Sequence, residues 1–165
     1  MKRSLLIALP VLLLGACATV SPPVPEGYKG PTVQLSDSGF SESSGKGGFF
    51  SATALDGREV QNSLRETREA SYGQGFSLSS RYTSRRVPVT PMKVKLVGTH
   101  QTAAPIHEMA ARMAGTFFSV EGIADFKPTE GRSYVVTGEL KKEQSCIWIM
   151  DSETKQPASE KICNK

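Results

Sequence analysis

Two histidines and a glutamate come nearest to a catalytic or metal-binding motif in this sequence. His107-Glu108 begins like the zinc-protease pattern His-Glu-x-x-His, in which two histidines on one helical face hold the metal. Ala111 occupies the position of the second histidine, so this zinc site is excluded. His100 follows a Gly-Thr turn at the end of an expected strand and is predicted to be solvated. The sequence therefore predicts no metal site and no cofactor.

The sequence also does not support nucleophilic catalysis by a serine or glycoside cleavage by a pair of carboxylates. A nucleophilic serine needs a base and an oxyanion hole, and no serine lies in the Gly-x-Ser-x-Gly pattern. Asp125, Glu130 and Glu139 fall near one expected hairpin, where two carboxylates could in principle cleave a glycoside. Glu139 alternates away from the apolar face and Glu130 lies in the turn, as solvated charges do. We predict no catalytic residues and a protein that is not an enzyme.

The densest basic stretch supplies the candidate residues for binding a partner. These are Arg81, Tyr82, Arg85 and Arg86. Arginine binds carboxylates and phosphates through paired hydrogen bonds, so the stretch suits an acidic protein, a lipid phosphate or a cell-wall carboxylate. The alternative interpretation is a solvated loop before Pro88.

The first residues of the chain indicate its compartment. Lys2 and Arg3 precede an apolar run of about ten residues that ends in small residues, which is the layout of a secretory signal peptide. A membrane span needs roughly 20 apolar residues. The ending Leu14-Gly15-Ala16-Cys17 resembles the lipobox of bacterial lipoproteins. That resemblance implies cleavage after residue 16 and attachment of lipid to Cys17.

The lipobox also implies a location. Two or more acyl chains give stable membrane anchoring, and Ala18 stands where an aspartate tends to retain such lipoproteins at the inner membrane. We therefore expect lipid anchoring at the outer membrane, with the domain on the periplasmic face. Loss of residues 1–16 lowers the basic count from 20 to 18 against 16 acidic residues, and the net charge from +4 to +2. No nucleic-acid partner is expected, because such binding needs a concentrated basic face.

Two cysteines remain once Cys17 is assigned to lipid. Cys146 and Cys163 flank a segment that has the pattern of a strand, a polar turn and a short strand. An oxidising compartment favours a disulfide between them, which would contribute about 3 kcal/mol to stability. Two free buried thiols are the alternative.

Composition divides the mature chain into a tether and a domain. Residues 17–48 are rich in proline, then serine, then glycine, and so little apolar surface does not offset the entropy of ordering a chain. We predict a disordered tether over 17–48, with an end-to-end distance on the order of a few tens of Å for a flexible chain of that length. A single folded domain is predicted over 49–165.

Apolar periodicity predicts mostly strands in residues 49–165. Residues 92–97 alternate clearly, and Asp56-Gly57 predicts a tight hairpin turn. Residues 64–71 suit a loop or a short surface helix, and residues 76–82 suit a strand. Alternation over 146–150 separates Trp148 from its two isoleucine neighbours, and we expect Trp148 in the core.

One segment has helical rather than strand periodicity. Ile106, Met109, Ala110, Met113 and Ala114 recur at the spacing of a helical stripe, between Pro105 and Gly115. We expect this short helix to cover an open end or face of the sheets.

The order of strands and turns resembles small envelope lipoproteins with a PEGA-like or transthyretin-like β-sandwich. The residues that carry the resemblance are Phe49-Phe50 with Asp56-Gly57, residues 94–99, and Gly131 to Tyr134 leading to Trp148-Ile-Met-Asp151. It implies a mainly β protein: a β-sandwich or partly open barrel of about seven strands with one short helix. It also implies a non-enzymatic binding or structural module that docks an envelope protein or cell-wall component. The alternative function is a tethered immunity protein or inhibitor of a periplasmic toxin or hydrolase.

Overall fold

The computed structural model describes residues 20–164, and these form two stacked β-sheets with two helices. The strands are β1 Thr32–Ser36, β2 Ser38–Ser43, β3 Lys46–Leu55, β4 Arg58–Glu59, β5 Ser84–Pro88, β6 Met92–Thr102, β7 Ser119–Phe126, β8 Ser133–Glu139, β9 Cys146–Asp151 and β10 Ile162–Cys163; the helices are α1 Ser63–Ser71 and α2 Pro105–Met113. The expected signal peptide over residues 1–16 and the expected lipidation site Cys17 lie outside the described residues.

The two sheets are open and do not close into a barrel. One has the order β10-β9-β8-β1-β5 and the other β2-β3-β6-β7, with β4 paired to the end of β3. Strands β1 and β8 are parallel, and the other pairs are antiparallel. The predicted mainly β sandwich is confirmed, and residues 20–164 contain ten strands rather than about seven and two helices rather than one.

The core lies between the sheets and is built from alternate residues of their strands. On β6, Met92, Val94 and Leu96 point inward and the lysines between them point outward, as predicted. The largest fully buried side chains between the sheets include Phe126, Leu35, Leu55, Ile147 and Ile149. Both sheets therefore contribute to one apolar core.

The predicted tether is wrong over residues 20–48. Residues 32–36 and 38–43 form β1 and β2, and β3 already begins at Lys46. Residues 20–31 also contact the domain, because the Ser21 N–H donates to the Glu59 carbonyl at 2.7 Å and Arg58 Nη1 donates to the Pro22 carbonyl at 3.0 Å. The folded domain thus begins almost 30 residues earlier than the composition indicated.

The small residues in this region are needed for packing. A Cβ on Gly48 would lie 2.4 Å from the Phe40 ring, and one on Gly39 would lie 2.9 Å from the Tyr82 ring. Glycine in a strand often marks such a close approach. The composition that resembles a flexible linker is here the composition of two strands whose glycines lie beneath aromatic rings.

A buried ion pair joins both sheets to α1. The Asp37 carboxylate accepts the backbone N–H groups of Ala52 at 3.0 Å and Ser63 at 2.8 Å, and lies 2.7 Å from Nη2 of Arg85. Arg85 Nη1 also donates to the Ala52 carbonyl at 3.2 Å. Because Arg85 Nε and Nη2 make no well-directed hydrogen bond to any residue in the range 20–164, the contact with Asp37 is ionic rather than a bidentate hydrogen-bonded pair.

Candidate functional site

The apolar stripe of α2 faces solvent. Ile106, Met109 and Met113 are 63%, 59% and 86% exposed, and no residue of the helix is fully buried. The side that packs on the domain carries His107, whose ring stacks on Phe76 at a centroid distance of 5.0 Å. The prediction of a helix is correct, but the expectation that its stripe covers the sheets is wrong. We call Ile106, Met109 and Met113 the α2 stripe.

Local signals in the sequence explain why α2 forms without a buried apolar face. Pro105 begins the helix, where its missing N–H costs nothing. Glu108 and Arg112 form an ion pair one turn apart at 2.8 Å, and Gly115 follows the helix with a φ of 65°. The helix is positioned by its connections to β6 and β7 rather than by its large side chains.

A cleft of about 680 Å³ separates α2 from the end of α1. We call it the α1–α2 cleft. Its apolar walls include Leu64, Tyr72, Leu78 and Phe117, residues 99–105 also line it, and its charged residues are Arg68, Glu108 and Arg112. The size and the mostly apolar lining are typical of sites that take a small molecule or a few side chains of a partner.

A hydroxyl ladder on α1 holds the loop that forms one wall of this cleft. The buried side chains of α1 are polar and spaced four residues apart. Their hydroxyl oxygens accept backbone N–H groups from alternate residues of the loop. The pairs are Ser63 with Thr83, Thr67 with Arg81 and Ser71 with Ser79, at 2.8 to 2.9 Å. The predicted strand over 76–82 is therefore absent, because its backbone bonds to helix side chains instead of a neighbouring strand.

His100 lines the cleft as a buried, fully bonded side chain, so the prediction of a solvated histidine is wrong. It is 2% exposed, and its Nδ1 accepts the Phe118 N–H at 3.0 Å. Its Nε2 therefore carries the proton and donates to Glu42 Oε1 at 2.6 Å. Glu42 also pairs with Lys46 at 2.7 Å. Neither ring nitrogen is free to act on a substrate.

Protonation in this cluster follows from burial and charge. Burial lowers the pKa of His100 below its ordinary value of 6.5, against the opposite effect of Glu42. Burial alone would raise the pKa of Glu42, but the hydrogen bond and charge of Lys46 and the contact with His100 together lower it. The cluster therefore pairs a neutral imidazole with a charged carboxylate and ties β2 and β6 to the segment after α2.

The structure separates the residues of the predicted Arg-Tyr site. Arg81 and Arg86 are exposed, and Arg86 Nε donates to Thr32 Oγ1 at 2.7 Å. Tyr82 is half exposed, with its ring stacked on Phe49. Arg85 is 7% exposed and bound to Asp37, so its prediction as a partner-binding residue is wrong. Alternation along β5 turns Arg85 inward and Arg86 outward.

The two remaining cysteines lie at bonding distance. Their sulfur atoms are 2.06 Å apart, and they connect β9 to β10 across 17 residues. The Asn164 side chain continues this connection by accepting the Ser145 N–H at 2.7 Å and donating to the Ser119 carbonyl at 2.9 Å. The expected pair of Cys146 and Cys163 is thus in place to stabilise the end of the chain.

Within residues 20–164, no three His, Cys, Asp or Glu side chains come together as a metal site would require. In the same range, none of the helices has the length and hydropathy needed to cross a bilayer. No protein-family model, curated protein or solved structure matches the chain.

The sequence reasoning missed Arg68, Tyr72 and Phe76, which accompany the α2 stripe at this site. Tyr72 is 90% exposed and follows the last turn of α1. The available signal was the apolar stripe itself. A helix only nine residues long gives no indication of whether its stripe packs on its own domain or on another molecule.

Proposed function

We propose that the mature chain is a lipid-anchored envelope lipoprotein on the periplasmic face of the outer membrane, and that it is a non-enzymatic docking module. Cys17 carries the lipid. The α2 stripe and the α1–α2 cleft form the docking surface. The observation that carries the proposal is a helix whose three large apolar side chains all face solvent beside an apolar cleft.

Exposed apolar side chains in such a group indicate an interaction site. Burying one of them fully is worth about 1.5–3 kcal/mol, so a partner that covers the α2 stripe gains several such increments. Methionine is unbranched and flexible and adapts to the shape of a partner. Two of the three stripe residues are Met109 and Met113, which suits them to a contact surface.

The charges of the cleft favour a partner segment that is apolar and carries a carboxylate. Glu108 and Arg112 neutralise each other. Arg68 has no acidic partner within 4 Å among residues 20–164. His100 is neutral, so the cleft has one uncompensated positive charge. We therefore assign the surface to an envelope protein whose docking segment places apolar side chains on α2 and a carboxylate on Arg68.

A second copy of this chain is a poorer occupant for reasons of size. A helix of nine residues is about 13 Å long, and three side chains are far from the roughly 800 Å² per partner of a stable interface. A partner that also fills the cleft covers more surface.

Photocrosslinking in intact cells tests this proposal. A photoreactive amino acid at Met113 is expected to give one discrete adduct, and the same residue at Ile123, exposed on the outer face of β7, is expected to give none. Mass spectrometry of the adduct should locate the crosslink in an apolar segment with an acidic residue. Arg68→Glu should lower the adduct yield several-fold, whereas the matched Arg86→Glu should not.

Three outcomes would contradict the proposal. Equal adducts at Met113 and Ile123 would show that the α2 stripe is not a specific surface. An adduct between two copies of this chain would show that the α2 stripe binds a second copy rather than a different envelope protein. Mass spectrometry that finds Cys17 without lipid would refute the proposed lipid anchor.

A further inference from the structure

The strand directions give the domain two distinct ends. Strands β3 and β6 pair from Lys46 with Thr102 at one end to Leu55 with Val94 at the other. The β3–β4 turn at residues 56–57 lies at the second end, which we call the near end. At the opposite, far end lie the β2–β3 turn and the start of α2, which follows β6. The docking surface is therefore at the far end.

The N-terminal segment is attached at the near end. The Ser21 N–H is bonded to the Glu59 carbonyl, and Glu59 pairs with Ala54 close to the end of β3. Four residues lead from Cys17 to Ser21, and a fully extended chain spans at most about 14 Å over that number. A lipid on Cys17 thus holds the near end within about 14 Å of the bilayer surface.

The far end lies well beyond that distance. Nine residue steps separate Lys46 from Leu55 along β3, which corresponds to about 30 Å at the rise of a β-strand. The near end carries charges of both signs, including the ion pairs of Lys93 with Asp125 at 2.9 Å and Arg132 with Glu153 at 3.0 Å.

We infer that the domain stands on the membrane by its near end and presents the α2 stripe and the α1–α2 cleft about 30 Å away, toward the periplasm. This inference rests on the proposed lipid anchor. The occupant of the docking surface is then a protein segment that approaches from the periplasm to within about 45 Å of the bilayer. This distance is the sum of the extended length from Cys17 to Ser21 and the length of β3. The bilayer itself is not the occupant, although the α2 stripe is apolar.

Depth-dependent fluorescence quenching tests the orientation. The acylated full chain is reconstituted in phosphatidylethanolamine and phosphatidylglycerol vesicles that carry a nitroxide on the headgroup. A single added cysteine is labelled at Lys127→Cys, which follows β7 at the near end, or at Met113→Cys; both positions are exposed. Quenching is expected to be at least threefold stronger at 127 than at 113.

The controls separate the orientation from the anchor. Flotation of the vesicles and the mass of the Cys17 peptide establish whether the chain is lipid-bound, and a chain that does not float refutes anchoring and the orientation with it. A chain that floats but is quenched equally at both positions, or more at 113, refutes the orientation alone. Insertion of twelve Gly and Ser residues between Val20 and Ser21 should reduce quenching at 127, because it releases the near end from the surface.

Discussion

Replacing Arg85 by methionine should destabilise the domain far more than the same change at Arg86, the next residue on β5. The Arg85 and Asp37 side chains are 4% and 0% exposed. Arg85→Met leaves the Asp37 carboxylate buried with two backbone N–H donors but no counter-charge. Arg86 is exposed and its side chain donates to Thr32 at the protein surface, which makes it a matched control.

The magnitude follows from the burial of the pair. Removing one partner of a buried ion pair costs about 3–5 kcal/mol, whereas surface substitutions usually stay within about 0.5 kcal/mol. For a domain of this size, about 1 kcal/mol shifts the Tm by roughly 3 °C. We therefore expect Arg85→Met to lower the Tm by roughly 10 °C and Arg86→Met to lower it by no more than about 2 °C.

Thermal and urea unfolding of the protein measure the stability of both variants. The double variant Asp37→Leu with Arg85→Met removes both charges and should be more stable than Arg85→Met alone, because no unpaired charge remains buried. Equal Tm values for Arg85→Met and Arg86→Met would refute the buried position of Arg85. If Arg85→Met lost partner binding without any loss of stability, the original prediction of Arg85 as a partner-binding residue would be supported.

Three further predictions concern the elements that support the site. Burial lowers the pKa of His100, so on acidification the unfolded state takes up a proton before the folded state does. The stability that depends on His100 is therefore full above pH 6.5 and falls as the pH drops through the folded-state pKa of His100. His100→Gln should flatten this part of the plot of urea-unfolding stability against pH. Thr67→Val leaves the Arg81 N–H without its acceptor and should cost about 1–3 kcal/mol, with faster hydrogen exchange of that amide, whereas Thr67→Ser should keep both properties near wild type. Replacing Cys146 and Cys163 by serine should cost about 3 kcal/mol in urea unfolding; a loss below about 1 kcal/mol would show that the cross-link does not constrain the unfolded chain.

Patterns confined to neighbouring residues predicted the elements well. Alternation identified β6, and its inward residues Met92, Val94 and Leu96 are buried. The Asp56-Gly57 turn adopts positive φ at both residues, as a tight hairpin requires. The helical spacing after Pro105 produced α2. Each of these signals depends on residues within one turn or one strand, so it is present in the sequence itself.

The same kind of reasoning failed where small residues pack against aromatic residues that are distant in the sequence. Residues 32–48 have the composition of a linker, yet Gly48 accommodates the ring of Phe40 and Gly39 that of Tyr82. No local pattern connects Gly39 to a residue 43 positions later. The length of the predicted tether was wrong for this reason, and with it the expected distance between lipid and domain.

By itself, the sequence determined which residues share a face, where the short turns fall and which two cysteines were available to pair. Only the tertiary structure decided which face is inward. Alternation placed Trp148 opposite Ile147 and Ile149, but the isoleucines fill the core and Trp148 lies outside, with Lys161 over its ring. The stripe of α2 likewise faces solvent. Periodicity is a property of one element, whereas its orientation depends on the surfaces that distant parts of the chain bring against it.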